Sequence, residues 1–261
     1  MIEQRTAFER ALGTLSTTTI FTAITSALLL TGAPATTYAD DFLFATTTEY
    51  EISGSTARVE LDAPWSPQAN ITPVGSDAVV RNDGRYLYVV NRLGADNLQV
   101  IDPGASFQTV AEFSLGAGSN PQDAVIVSPN EAFVSRYEST QLYVVDPLGQ
   151  AILDSIDLAP FGDADGLPEA ARMIRVGGRI FVALQRLDRT NAWAPTFPSM
   201  VAVIDIATRA LVDADPVAPG MQAIALVATN PSNELSYDDT GARILVPLVG
   251  TYGVNDGGVE A

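Results

Sequence analysis

Three groups of side chains in this sequence have the makings of a chemical site. The first is Asp163-Ala164-Asp165-Gly166-Leu167-Pro168-Glu169, in which Asp163, Asp165 and Glu169 surround a glycine that permits a sharp bend. Carboxylate oxygens gathered in this way suit one hard cation, and Ca2+ is the expected metal if the loop holds one. The run is shorter than an EF-hand loop and lacks the Glu of its twelfth position, so a plain Asp/Gly turn is the competing reading. The second group is Arg92, Arg136 and Arg186, with Asn91, Tyr137 and Gln185 beside them. Guanidinium groups brought to one face would bind a carboxylate, phosphate or sulfate in bidentate fashion. The competing reading pairs each arginine with one of the 31 acidic residues. The third group is Asp62, Asp102, Asp146 and Asp205, which look like a catalytic array. Asp102-Pro103 and Asp146-Pro147 are turn-initiating pairs, and an Asp side chain caps the backbone two residues on, so these four are read as turn formers.

The residue inventory removes other chemistries. There is no Cys and no His among the 261 residues. Thiol nucleophiles, disulfides, His-based triads, His-containing zinc sites and copper sites are therefore out of reach. No Gly-x-Ser-x-Gly elbow is present, and no glycine pattern matches a dinucleotide or phosphate loop. All 14 cations are Arg and the formal charge is −17. Such a surface repels nucleic acid and anionic lipid, so neither is an expected partner.

The elements that would position these groups repeat along the chain. Val59-Glu60-Leu61-Asp62, Leu98-Gln99-Val100-Ile101-Asp102, Leu142-Tyr143-Val144-Val145-Asp146 and Val201-Ala202-Val203-Ile204-Asp205 are copies of one short apolar run. Their final Asp residues lie 40, 44 and 59 residues apart, the last interval containing an Arg189 to Ser199 insertion rich in aromatic residues and proline. Upstream stand Phe42 to Ala45, Tyr86 to Val90, Ala132 to Ser135, Ile180 to Leu184 and Ile244 to Val246. Branched and aromatic residues in runs this short predict strands. Asn82-Asp83-Gly84, Ser128-Pro129-Asn130, Gly177-Gly178 and Asp239-Thr240-Gly241 are turns leading back to a still earlier strand. Asn120-Pro121 and Asn230-Pro231 mark the crossing into a new unit. Four-stranded units of about 40–45 residues are the period of propeller blades, so the expected fold is all-β, a β-propeller of four-stranded antiparallel blades.

The stretch Asn82-Asp83-Gly84-Arg85-Tyr86-Leu87-Tyr88-Val89-Val90-Asn91 resembles the repeat of YVTN-type β-propellers, a group of bacterial and archaeal surface and periplasmic proteins. The resemblance covers the chain after Ala39. It implies a binding or scaffold role and carries no shared catalytic residues. Some propellers that look like this one are Ca2+-dependent lactonases. Asp77, Asp123 and Glu234, at the starts of first strands, are the acids such a hydrolase would turn toward its channel.

Residues 1–39 read as a secretory leader. An apolar run from Ile20 to Leu30 follows Arg5 and Arg10 and precedes the small-residue stretches Ala33-Pro34-Ala35 and Thr37-Tyr38-Ala39. The mature chain is then expected in the periplasm, at the cell surface or outside the cell, with no stable membrane insertion. Residues 40–261 divide into blades near 40–76, 77–121, 122–169, 170–231 and 232–261. Rings of six to eight blades take roughly 240–360 residues at this period, so an incomplete ring of four to five blades is expected. The expected function is non-catalytic binding of a small anion, a glycan or a protein at the cell envelope, with the Ca2+-dependent hydrolase as the alternative.

Overall fold

The computed structural model describes residues 42–49 and 51–261; the leader read over residues 1–39 lies outside them. Most segments rich in branched and aromatic residues form strands, and the only helices among the described residues are the 3-10 turns Pro103–Ala105 and Ala159–Phe161. The strands assemble into five antiparallel sheets and one small hairpin. The first sheet contains Phe42–Glu49 and Ser53–Glu60, with the short pieces Pro67–Gln68 and Pro73–Val74 both paired to the latter. The second is the meander Ala78–Asn82, Leu87–Asn91, Asn97–Asp102 and Gln108–Ser114. The third is Pro121–Ser128, Glu131–Arg136, Gln141–Asp146 and Ala151–Asp157. Ala170–Val176, Arg179–Leu184, Met200–Asp205 and Ala210–Val212 form the fourth, with Ile224–Ala225 added beside Met200–Asp205. Ser236–Asp238, Arg243–Leu248 and Gly258–Glu260 form the fifth.

These sheets stand side by side around an axis, and the second, third and fourth hide both of their faces. Side chains alternate across a strand, so a strand buried on two sides feeds two separate cores. Leu87–Asn91 does this: Leu87 and Val89 join Ile101 and Phe107 against the first sheet, while Tyr88 and Val90 join Leu98, Ala132 and Val134 against the third. The same split recurs in the fourth sheet, where Ile180, Val182 and Leu184 face the third sheet and Ala183 faces the fifth. A sandwich would share one core between two sheets; here four cores lie between five sheets, and the described residues form five blades of a β-propeller, as an incomplete propeller would.

One backbone bond repeats at the base of the sheets and ties each blade entry to the loop between its second and third strands. Arg92 N donates to Asp77 O, Tyr137 N to Asn120 O, Gln185 N to Glu169 O and Val249 N to Asn230 O, at 2.8, 3.1, 3.2 and 3.0 Å. The accepting residues Asn120, Glu169 and Asn230 all have a positive φ, of 45°, 46° and 59°. Asn tolerates the left-handed region through local hydrogen bonding. Glu169 is therefore the crossover residue of the fourth blade, the counterpart of the two Asn-Pro crossings.

Three of the four Asp residues cap their turns through the side chain, Asp102 two residues on and Asp146 and Asp205 three residues on. Asp102 Oδ1 accepts from Gly104 N, Asp146 Oδ1 from Gly149 N and Asp205 Oδ1 from Thr208 N, at 2.8, 2.7 and 2.9 Å. Asp62 lies just past Ser53–Glu60, and its carbonyl accepts from Trp65 N. No helix among the described residues is long and apolar enough to cross a membrane.

Candidate binding face

Two polar clusters are built by these elements, one at the axis and one over the third and fourth sheets. At the axis, the inner strands converge. Arg81 of Ala78–Asn82 donates from Nε to Asp123 Oδ1 at 2.7 Å and from Nη2 to the Glu234 carboxylate at 2.8 Å. The Asp123 side chain is wholly buried and also accepts the amides of Ala124 and Met173, each at 2.8 Å. Burial alone would lower the Arg81 pKa, but the hydrogen bonds and charge of Asp123, and those of Glu234, raise it above its ordinary value. Arg92 donates to Asp77 Oδ1 at 2.6 Å and to Gln122 Oε1 at 2.5 Å. Arg172 donates to the Gln122 carbonyl at 3.1 Å, and burial first of all depresses its pKa. Asp77, Asp123 and Glu234 are thus each held by a guanidinium.

The second cluster centres on Arg189, at the start of the insertion. The chain turns over here through a two-residue ladder, Leu187–Asp188 with Ala194–Pro195, stabilised by Thr190 N and Oγ1 donating to Asp188 Oδ1 at 2.9 and 2.7 Å. Arg189 Nη1 is hydrogen-bonded to Glu138 in the turn between Glu131–Arg136 and Gln141–Asp146. Its Nε lies 3.2 Å from both Asp165 Oδ2 and Glu169 Oε1. The guanidinium also sits over the rings of Trp193 and Tyr137, 5.0 and 5.7 Å from their centroids. Thr196 Oγ1 donates to Asp163 Oδ2 at 2.7 Å, and Arg186 Nη1 to Pro198 O at 2.5 Å, so both arms of the insertion are fastened. Tyr137 OH donates to Gln185 Oε1 at 2.7 Å. Burial, then the charge of Glu169, raises the Tyr137 pKa. Glu169 itself is fully buried; burial pushes its carboxyl up to about 7 against the lowering effect of the Leu187 amide and Arg189.

The structure therefore brings Asp163, Asp165, Glu169, Gln185 and Arg186 together around the insertion, but around a guanidinium. Asp165 and Glu169 both reach Arg189, and among the described residues no group of three His, Cys, Asp or Glu side chains is placed to hold a metal ion. Arg92, Arg136 and Arg186 share no partner. Arg92 belongs to the axis, Arg186 to the insertion, and the buried Arg136 donates to Ser139 Oγ and Gln141 O at 3.0 and 3.3 Å and lies 3.9 Å from the Tyr143 ring centroid. Asn91 works between sheets: its Oδ1 accepts from Gly75 N and its Nδ2 donates to Asn97 Oδ1, both at 2.7 Å.

Arg189 and Glu138 have no repeat spacing and no motif, which is why they do not stand out in the sequence. The insertion itself was the available signal. Its aromatic residues remain in solvent, with Trp193 40% and Phe197 70% exposed, and Tyr252 of the fifth sheet's loop, 55% exposed, is close enough to Tyr137 to act on it electrostatically.

No protein-family model matches this chain, and no curated protein does. Solved structures do resemble it in fold. Hydrazine synthase of Kuenenia stuttgartiensis superposes with a TM-score of 0.51 at 19% identity, over 74% of this chain and 49% of that one. A chain of the nidogen/laminin complex gives 0.53 at 12% identity, over 81% and 71%. Sqt1 of Saccharomyces cerevisiae gives 0.53 at 8% identity, over 84% and 57%. The chain spans about half the length of the hydrazine synthase and Sqt1 chains. At these identities the likeness concerns architecture, and the class it defines together with the sheet geometry is the β-propeller.

Proposed function

We propose that this chain is an exported, non-catalytic binding module of YVTN-type repeats that engages its partner through the face carrying the 189–199 insertion. The observation that carries this reading is the combination of a fastened base and aromatic tips that stay open to solvent. Arg189 bridges Glu138, Asp165 and Glu169, while Trp193 and Phe197 stay open to solvent. Aromatic anchors held before the partner arrives avoid the ordering cost that flexible loops incur, and such anchors dominate interface energetics. A protein or glycan at the cell envelope suits such rings better than a small anion does, because Arg92, Arg136 and Arg186 have separate partners.

Export is supported by the apolar run Ile20 to Leu30 after two arginines, and the repeat type by residues 82–91. A lactonase-type hydrolase would need channel carboxylates free to hold a cation or take a proton. Asp77, Asp123 and Glu234 are each bound to arginine, which favours the binding reading. The test compares retention of the fluorescently labelled protein on intact envelopes of its source cells with that of a Trp193→Ala/Phe197→Ala variant of unchanged Tm. Loss of retention in the variant is expected. Equal retention, or Ca2+-dependent turnover of a lactone panel, overturns the proposal.

A further inference from the structure

The insertion holds an arginine in a setting that shows what its face can take. Arg189 lies over two rings, those of Trp193 and Tyr137, and meets the carboxylates of Glu138, Asp165 and Glu169 at the same time. A ring attracts a cation through the negative charge above its face, and a carboxylate does so through its full charge and its hydrogen bonds. The two together select a guanidinium or ammonium group over a neutral side chain. The chain's own arginine satisfies only part of this chemistry.

The remainder is open. A cation covers one face of a ring, and Trp193 with Arg189 against it is still 40% exposed. Glu138 Oε1 and Asp188 Oδ2 accept no hydrogen bond among the described residues; the other oxygen of each is taken, by Arg189 and by Thr190. Around the insertion, Glu138, Asp163, Asp165, Glu169 and Asp188 stand against two guanidinium groups, and one of these, Arg186, donates to the carbonyl of Pro198. Leaving out the buried Glu169, four carboxylates remain for two cations. An anionic partner is repelled by this surplus. A neutral apolar partner covers carboxylates without replacing their water, which is costly.

We infer that the insertion face takes a cationic segment of a partner protein, an arginine of which stacks on the open face of Trp193 and is neutralised by Glu138 and Asp188. A planar guanidinium suits the ring and the paired oxygens better than a compact ammonium does. Arg189 is the intramolecular precedent for the contact, and by fixing the other face of the ring it lets the partner meet a surface already in place. This inference rests on the binding role proposed for the face and supplies the chemistry of the partner.

The probe is a synthetic peptide of alternating glycine and arginine, with a glycine–glutamate peptide as its counterpart, added to the full chain carrying Trp65→Phe, which leaves Trp193 as the one tryptophan. Anisotropy of labelled peptide gives the affinity. Trp193 emission with unlabelled peptide reports the contact itself, so stacking is told apart from attraction by the −17 charge of the whole chain. Emission is expected to change with the midpoint of the anisotropy, and the glutamate peptide to do nothing. Trp193→Ala is expected to weaken binding about ten-fold. Asp188→Asn, which keeps an oxygen for Thr190, is expected to weaken it about three-fold. Asp154→Asn, on the exposed outer strand of the third sheet, is expected to leave it unchanged. Three results overturn the proposal: anisotropy without a change in Trp193 emission, equal weakening by Asp188→Asn and Asp154→Asn, or no binding at millimolar peptide. If envelope retention still depends on Trp193 and Phe197, the last result removes the cationic partner and leaves the binding role of the face standing; if it does not, both fall.

Discussion

Arg81 and Glu234, 153 positions apart in the sequence, meet at 2.8 Å across the axis of the propeller. Through the same guanidinium, Glu234 of the fifth sheet's approach is joined to Asp123 of the third. Three blades are thereby linked by one arginine.

Removing that arginine should expose how much the axis depends on it. Arg81→Met leaves the wholly buried Asp123 carboxylate without the cation that touches it. A buried charge deprived of its partner costs about 3 kcal/mol. Urea unfolding should show that loss, and Asp123→Asn in the same background should recover part of it. Additive losses in the two single variants and their combination would show that the pair is not coupled.

The insertion should separate anchoring from contact. Arg189→Ala breaks the tie to Glu138, Asp165 and Glu169, so limited proteolysis within 189–199 should accelerate several-fold. Trp193→Ala, at a ring already 40% exposed, should change stability by about 1 kcal/mol or less while removing the partner contact. Protease resistance in both variants would mean that the loop is held by its backbone ladder alone.

Stability should also depend on pH through Glu169. Its folded-state pKa, about 7, lies above the ordinary 4.5, so the folded chain binds this proton more tightly than the unfolded chain. The contribution is complete below about 4.5 and is lost as pH rises through about 7. Urea midpoints across this window should show a falling component that is absent in Glu169→Gln.

The crossover residues give a backbone prediction. Asn120 and Asn230 have φ values of 45° and 59°, which an Ala side chain tolerates poorly. Asn230 also donates from Nδ2 to Gly250 O at 3.1 Å in a fully buried site. Asn230→Ala should cost about 2 kcal/mol, the sum of strain and a lost hydrogen bond. Asn230→Gly relieves the strain and should cost about half as much, as measured by thermal unfolding.

Much of the blade architecture was legible because it is written in short-range pattern. Strand runs such as Leu87–Asn91, turns such as Asn82-Asp83-Gly84 and the Asn-Pro crossings depend on neighbours within a few positions. The third crossing was not legible, because Glu169 carries none of the marks of Asn120 and Asn230. Read by composition, Glu169 groups with Asp163 and Asp165 as a cation loop; its place in the fold makes it a buried crossover residue facing Arg189. The three arginines that end second strands sit at like positions in the repeat, yet their side chains go to the axis, to a loop and to the insertion. Backbone periodicity sets where a residue stands, and the local surroundings set where a long flexible side chain reaches.

By itself, the sequence determined the all-β class, the meander unit and the absence of Cys and His chemistry, since strand propensity, turn residues and inventory are local properties. Only the tertiary structure decided which charges meet. Arg81 with Glu234 and Arg189 with Glu138 arise from how sheets are set against one another around an axis. Such contacts join residues far apart in the chain, and no spacing along it encodes them.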